Sequence, residues 1–196
     1  IPGALFAHLD RDLSAPKSGT NGRHPLPEPA TFAAWLGKQG LNPGDTVVCY
    51  DQSSGALAAR LWWMLRWIGH DAVAVLDGGL AKWRKENGAL TADVPRFAQT
   101  TYPAKPRTGM ADHVGFVQSS LGKALLVHAR SPPRYRGESD PIDPVAGHIP
   151  GARNRFNSDN LSPAGVFKQP EELKKDYLAV LGGRSPAEVV NYCGSG

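Results

Sequence analysis

The chain has 196 residues and 41% apolar content, ample for one or two globular domains. Its Lys and Arg residues, which leave a net charge of +4, are scattered rather than gathered in a stripe, so no nucleic-acid partner is expected, while a small anionic substrate is in keeping. No apolar run approaches the ~18 residues needed to cross a bilayer, and Cys49 and Cys193 cannot build a disulfide framework, so the expectation is a reducing, cytoplasmic compartment and no membrane partner.

Ile1-Pro2-Gly3-Ala4 opens the chain in place of a Met, which leaves a removed targeting segment open. Pro29 starts a helix whose Phe32, Trp35 and Leu36 share one face, with Gly40 as its stop. Thr46 to Tyr50 reads as a short strand leading into Asp51. Ser53 or Ser54 can cap the helix that follows, whose Leu57, Leu61, Leu65 and Ile68 keep helical spacing up to Gly69. Val73 to Leu76 is the next strand, closed by Asp77-Gly78-Gly79. The stretch 92–108, rich in Thr, Pro, Arg and Lys, reads as a linker. Beyond it, Ala124 to Ala129 is an apolar strand, and Ile149-Pro150-Gly151-Ala152 repeats the opening tetrapeptide. Pro170 starts a helix carrying Leu173, Tyr177, Leu178 and Leu181 up to Gly182, and Glu188 to Tyr192 is a last strand.

The tetrapeptide is one part of an internal repeat. Leu13-Ser14 returns as Leu161-Ser162, and Val47-Val48-Cys49-Tyr50-Asp51 is echoed by Val189-Val190-Asn191-Tyr192-Cys193. The chain therefore holds two copies of one α/β unit, each expected to be a mostly parallel sheet flanked by helices. The first copy spans 1–91 and the second 109–196. The first has no counterpart of the strand that opens the second, and the second stops soon after Cys193, where the first continues. A parallel sheet missing a strand leaves backbone groups unpaired, so truncation at both ends is expected.

Cys193 stands at the carboxyl end of a strand, where open α/β sheets bind ligands, and Gly194-Ser195-Gly196 follows it. Glycines on both sides of Ser195 let backbone N–H groups turn inward as an anion nest, and a helix N-terminus beyond would lower the thiol pKa. That combination suits a nucleophile. Cys49, inside a strand, reads as core packing. Asp51 takes the place of Cys193 in the first copy and cannot act as a sulfur nucleophile, so that copy is expected to be catalytically silent.

Cys193-Gly194-Ser195-Gly196 resembles the active-site loop of mercaptopyruvate sulfurtransferases, within the rhodanese superfamily. Gly147-His148-Ile149-Pro150-Gly151-Ala152, Leu76-Asp77-Gly78-Gly79-Leu80 through Trp83, and Arg60-Leu61-Trp62-Trp63-Met64 are similar to that superfamily's signatures and keep their order. The resemblance implies two tandem rhodanese-like domains and a sulfurtransferase. A sulfane sulfur would pass from thiosulfate or 3-mercaptopyruvate, through a persulfide on Cys193, to cyanide, a thiol or a small redox protein, with no metal and no cofactor. Arg134 matches an arginine that holds the donor anion, for which a guanidinium fork is well shaped. Ser195 matches a serine that helps polarise the donor, and Asp10 and His24 match silent-domain residues that work with it. Gly194 and Gly196 complete the loop that receives the substrate. His148 belongs to the turn motif and is expected to be structural.

Two positions depart from the family pattern. Asp143 stands where mercaptopyruvate enzymes carry a second carboxylate-binding arginine, yet Gly194 and Ser195 are neutral where thiosulfate-preferring enzymes place basic residues, so both donors stay open. His128 replaces the aspartate of an Asp-x-Arg pattern, which should cost Arg130 an ion-pair partner. Two other functions remain in view. A cysteine-dependent phosphatase or arsenate reductase needs an arginine shortly past the cysteine, and a non-catalytic sulfur-carrier or protein-binding module needs none.

Overall fold

The computed structural model of the chain describes all residues but Pro144 and Gly196. They form two compact units, Ile1–Met110 and Ala111–Gly196. Both have the expected α/β character, parallel strands flanked by helices.

In the first unit, α1 (Pro29–Lys38) begins on a proline, whose missing N–H is harmless in a first turn, and turns Phe32, Ala33 and Leu36 inward. β1 (Val47–Cys49) leads to α2 (Ala58–Trp67), which packs on β1 and on β2 (Val73–Val75). The two strands pair in parallel, with Cys49 opposite Val75. Phe32, Met64, Leu65 and Ile68 are all but sealed from solvent where the helices meet the strands. Each contributes about 1.5–3 kcal/mol by leaving water. α3 (Gly79–Lys85) docks through its first turn: Leu80 N–H donates to the Asp51 carbonyl at 2.9 Å, and a Cβ on Gly79 would lie 2.7 Å from the same oxygen. Glycine alone permits that approach.

The stretch read as a linker packs on the first unit over its second half. Thr100 N–H donates to Gly37 O at 2.9 Å, and Lys105 and Arg107 N–H donate to the Ile68 and Trp67 carbonyls at 3.0 and 2.7 Å. The last two bonds satisfy carbonyls that the end of α2 leaves without helical partners. Tyr102 is buried in the same core, its hydroxyl 2.9 Å from His70 Nδ1.

The second unit runs α4 (Val114–Ser119), β3 (Leu125–His128), α5 (Pro132–Arg136), β4 (Arg153–Asn154), α6 (Pro170–Leu181) and β5 (Val189–Tyr192). Its sheet is parallel in the order β4-β3-β5, and all four residues of the central β3 are buried. Leu181 of α6 joins Leu125 and Val127 in the core, and Gly182 ends the helix in the left-handed region. The repeated tetrapeptides form the same turn in both units. Ala4 N–H donates to Ile1 O at 3.2 Å and Ala152 N–H to Ile149 O at 3.0 Å, with Gly3 and Gly151 at φ +78° and +82°. Among the described residues, no helix is long and apolar enough to cross a membrane.

Candidate active site

Because the second sheet is parallel, β3, β4 and β5 all release the chain at one edge, and Cys193 emerges there from β5. The thiol is exposed. Its Sγ receives the Ser195 N–H at 3.4 Å, and Ser195 Oγ lies 3.2 Å away. Among the described residues, a sulfur anion at this point would meet the Ser195 amide and hydroxyl. The end of β5 is braced from two sides: the Tyr192 ring stacks on His128 at 4.0 Å, and its hydroxyl accepts the Ile149 N–H at 3.0 Å. The turn carrying Ile149 is fixed in its own right. His148 stacks on Tyr135 at 3.7 Å with Nδ1 2.7 Å from the Tyr135 carbonyl, and the Tyr135 hydroxyl donates to Ala152 O at 2.5 Å. His148 thus works as a brace. His128 is fully buried, and burial, seconded by the Arg130 charge, lowers its pKa to about 4.

Four charged side chains stand against the loop. Arg130 Nη1 and Nη2 donate to Asp140 Oδ2 and Asp143 Oδ2 at 2.8 and 2.9 Å. Arg134 Nε and Nη2 donate to Asp140 Oδ1 and Asp143 Oδ2 at 3.1 and 2.8 Å. Asp140 Oδ1 also accepts the N–H groups of Ile142 and Asp143 at 3.1 and 2.9 Å. Burial pushes the Asp140 carboxyl up, but these donors outweigh it and bring the pKa to about 2. A Cβ on Gly194 would collide with the Arg130 guanidinium and lie 2.9 Å from Asp143 Oδ2. The residue beside the cysteine therefore rests directly on the ion network, and a side chain there would push the guanidinium and carboxylate aside.

This geometry changes two expectations. Arg130 does not want for a partner, because Asp140 and Asp143 fold back from the loop after α5 and replace the local carboxylate that His128 displaced. Arg134 reaches the loop region, but its fork already holds two carboxylates. Asp140 was missed in the sequence, and Asp143 was noted only for the arginine it replaces. Two aspartates three apart, shortly after two arginines four apart, were the available signal. Gly196 lies outside the described residues.

In the first unit, the corresponding strand end carries Asp51, and its carboxylate is wrapped by backbone. Oδ1 accepts from Ser53 and Gly55 N–H at 2.8 and 2.9 Å, and Oδ2 from Leu57 and Ala58 N–H at 2.7 and 2.8 Å. Burial opposes ionisation, and the four amide bonds overcome it, holding the carboxyl below its ordinary range. Neither Ser53 nor Ser54 caps α2 as expected. A carboxylate accepts more strongly than a hydroxyl and reaches both ends of the loop, so Asp51 takes that place. Cys49, by contrast, is buried, and its thiol is pushed up to about 12.

Asp10 and His24 come together in this unit, with His24 Nε2 3.6 Å from Asp10 Oδ1 and Lys17 Nζ 3.4 Å from the same oxygen. Arg60 holds the segment by donating to the carbonyls of Leu13, at 2.7 Å from Nη2, and of His24 at 2.9 Å. Partial burial lowers the His24 pKa despite the Asp10 charge.

Comparison with known proteins agrees with this architecture. The rhodanese-like domain family matches residues 1–86. A Pseudomonas aeruginosa protein named for 3-mercaptopyruvate sulfurtransferase activity is 48% identical over 200 residues, spanning 100% of this chain and 70% of its own length. A Mycobacterium tuberculosis protein named for thiosulfate sulfurtransferase activity is 37% identical, again over 100% of this chain and 70% of its own. The solved 3-mercaptopyruvate sulfurtransferase of Escherichia coli superimposes with a TM-score of 0.83 at 31% identity, covering 100% of this chain and 73% of that one. With relatives this similar along its whole length, two α/β units and an exposed strand-end cysteine, the chain belongs to the rhodanese superfamily, as a sulfurtransferase of the mercaptopyruvate and thiosulfate type.

Proposed function

We propose that Cys193 transfers sulfur through a covalent persulfide. The thiolate attacks the outer sulfur of thiosulfate, the sulfur–sulfur bond of the donor breaks, and sulfite leaves with the electron pair. From 3-mercaptopyruvate the carbon–sulfur bond breaks instead, and pyruvate leaves as its enolate and takes up a proton. Cyanide or a thiolate then attacks the outer sulfur of the persulfide, carries it off and restores the Cys193 thiolate.

One observation carries this reading: the Cys193 sulfur is exposed at the carboxyl end of β5 with the Ser195 N–H and hydroxyl directed at it. The Asp51 loop supports it, because a loop at the equivalent strand end of this chain wraps an anion in four backbone amides. Arg130, whose guanidinium lies against Gly194, and Arg134, which shares its carboxylates, are the cations an anionic donor would recruit from Asp140 and Asp143. Resemblance extends a supporting role with mercaptopyruvate to Asp10 and His24, and one with the loop to Ser195.

The test is mass spectrometry of the intact chain after incubation with each donor. Cys193 should gain the mass of one sulfur atom, cyanide should remove it, and Cys193→Ala should abolish the gain. If neither donor leaves sulfur on Cys193, a protein-binding role takes its place.

A further inference from the structure

We infer that Asp143 sits in the donor anion's seat and sets how strongly, and which, donor anions bind beside Cys193. This rests on the sulfurtransferase reading and deepens it. Arg130 has its guanidinium against Gly194, Arg134 shares both of its carboxylates, and all four groups come from the same unit. The two positive charges are matched by the two negative charges of Asp140 and Asp143. A donor carboxylate or sulfonate that takes the Nε/Nη2 edge of Arg134, or the Nη1/Nη2 edge of Arg130, must therefore exchange with one of them.

The two carboxylates are not equally exchangeable. The Asp140 side chain is 2% exposed, receives two backbone N–H groups besides both arginines, and stays ionised to about pH 2. It is a fixture that aims the forks. The Asp143 side chain is 14% exposed, and its Oδ2 bridges Arg130 and Arg134 while standing next to Gly194. Of the two, it holds the position an incoming anion would take. Replacing it with a neutral group of the same shape leaves a net positive charge beside the sulfur, and donors with the larger charge density gain most.

Anion binding can be measured apart from chemistry. In a Cys193→Ser background, calorimetry with thiosulfate and separately with pyruvate reads the seat alone. Asp143→Asn should tighten thiosulfate binding on the order of tenfold and pyruvate less, an effect of about 1.4 kcal/mol for the former. Adding Arg134→Ala should cancel the gain. Thiosulfate binding that is unchanged or weaker in Asp143→Asn, or a gain that survives Arg134→Ala, overturns the assignment. Asp143→Ser serves as a second neutral variant where Asn disturbs folding, judged by its thermal midpoint. Mass spectrometry of the Cys193 chain keeps the two readings apart: a tightened seat with no sulfur on Cys193 sinks the transfer reaction and leaves the seat standing, and sulfur uptake with no change in binding does the reverse.

Discussion

Asp51 and Cys193 occupy the same point of the repeat, and what surrounds each follows from its side chain. A carboxylate carries two oxygens with several lone pairs, and at Asp51 each oxygen takes two backbone amides. Those four donors would otherwise be unpaired around the start of α2. Asp51→Ala should therefore cost about 2 kcal/mol in urea denaturation, more than an ordinary cap, whereas Ser53→Ala should lie within about 0.5 kcal/mol of the parent. Equal costs for the two substitutions would mean that the carboxylate is not what organises the loop. A thiolate has one large, polarisable centre, and at Cys193 the described donors come from a single residue, Ser195. The serine two places on differs accordingly: the Ser195 hydroxyl stands 3.2 Å from the sulfur, whereas Ser53 serves Asp51 through its backbone N–H.

At the scale of elements, the segment 98–107 tests whether composition or contact decides what a stretch does. Tyr102 fills space against the core of α1 and α2, and its hydroxyl meets His70. Tyr102→Ala should destabilise the first unit by about 3 kcal/mol, and Tyr102→Phe by about 1 kcal/mol, both read from the denaturation midpoint. A change below about 0.5 kcal/mol for the alanine variant would return the segment to a linker. Helix starts at Pro29 and Pro170, the stop at Gly182 and the strands around Val47, Val73, Leu125 and Val189 were legible because local chemistry specifies them: a fixed φ, a left-handed residue, a run of apolar β-formers. Tyr102 gave no such signal, since one aromatic among Pro and Lys has no period. Cys193 was legible from its place at a strand end followed by glycine. The Arg130–Asp140–Arg134–Asp143 cluster was not, because α5 and the turn after it lie between Arg130 and the aspartates, and only that folded turn brings them together against Gly194.

Across the whole chain, His128 and Asp140 lead the response of stability to acid, with His24 adding to the upper window, and all have the same sign. His128 titrates at about 4 in the folded chain against an ordinary 6.5, because burial and the Arg130 charge resist its protonation. Between those values the unfolded chain binds a proton that the folded one refuses, so stability is complete above pH 6.5 and falls as pH drops toward 4. Asp140 titrates at about 2 against 3.8, so its contribution is complete above pH 3.8 and is lost as pH falls through 2. Asp51 is shifted in the same direction by its amides and adds to the lower window. The thermal midpoint should therefore stay level near neutrality and decline in two stages on acidification. His128→Phe keeps a ring against Tyr192 and removes a group whose two nitrogens find no hydrogen-bond partner among the described residues, so it should flatten the upper stage and hold or raise the neutral midpoint. Asp140→Asn should shrink the lower stage and reduce stability at neutral pH, where the arginines lose a charged partner. An upper stage as steep in His128→Phe as in the parent would show that this histidine is not held neutral beneath the cysteine's strand.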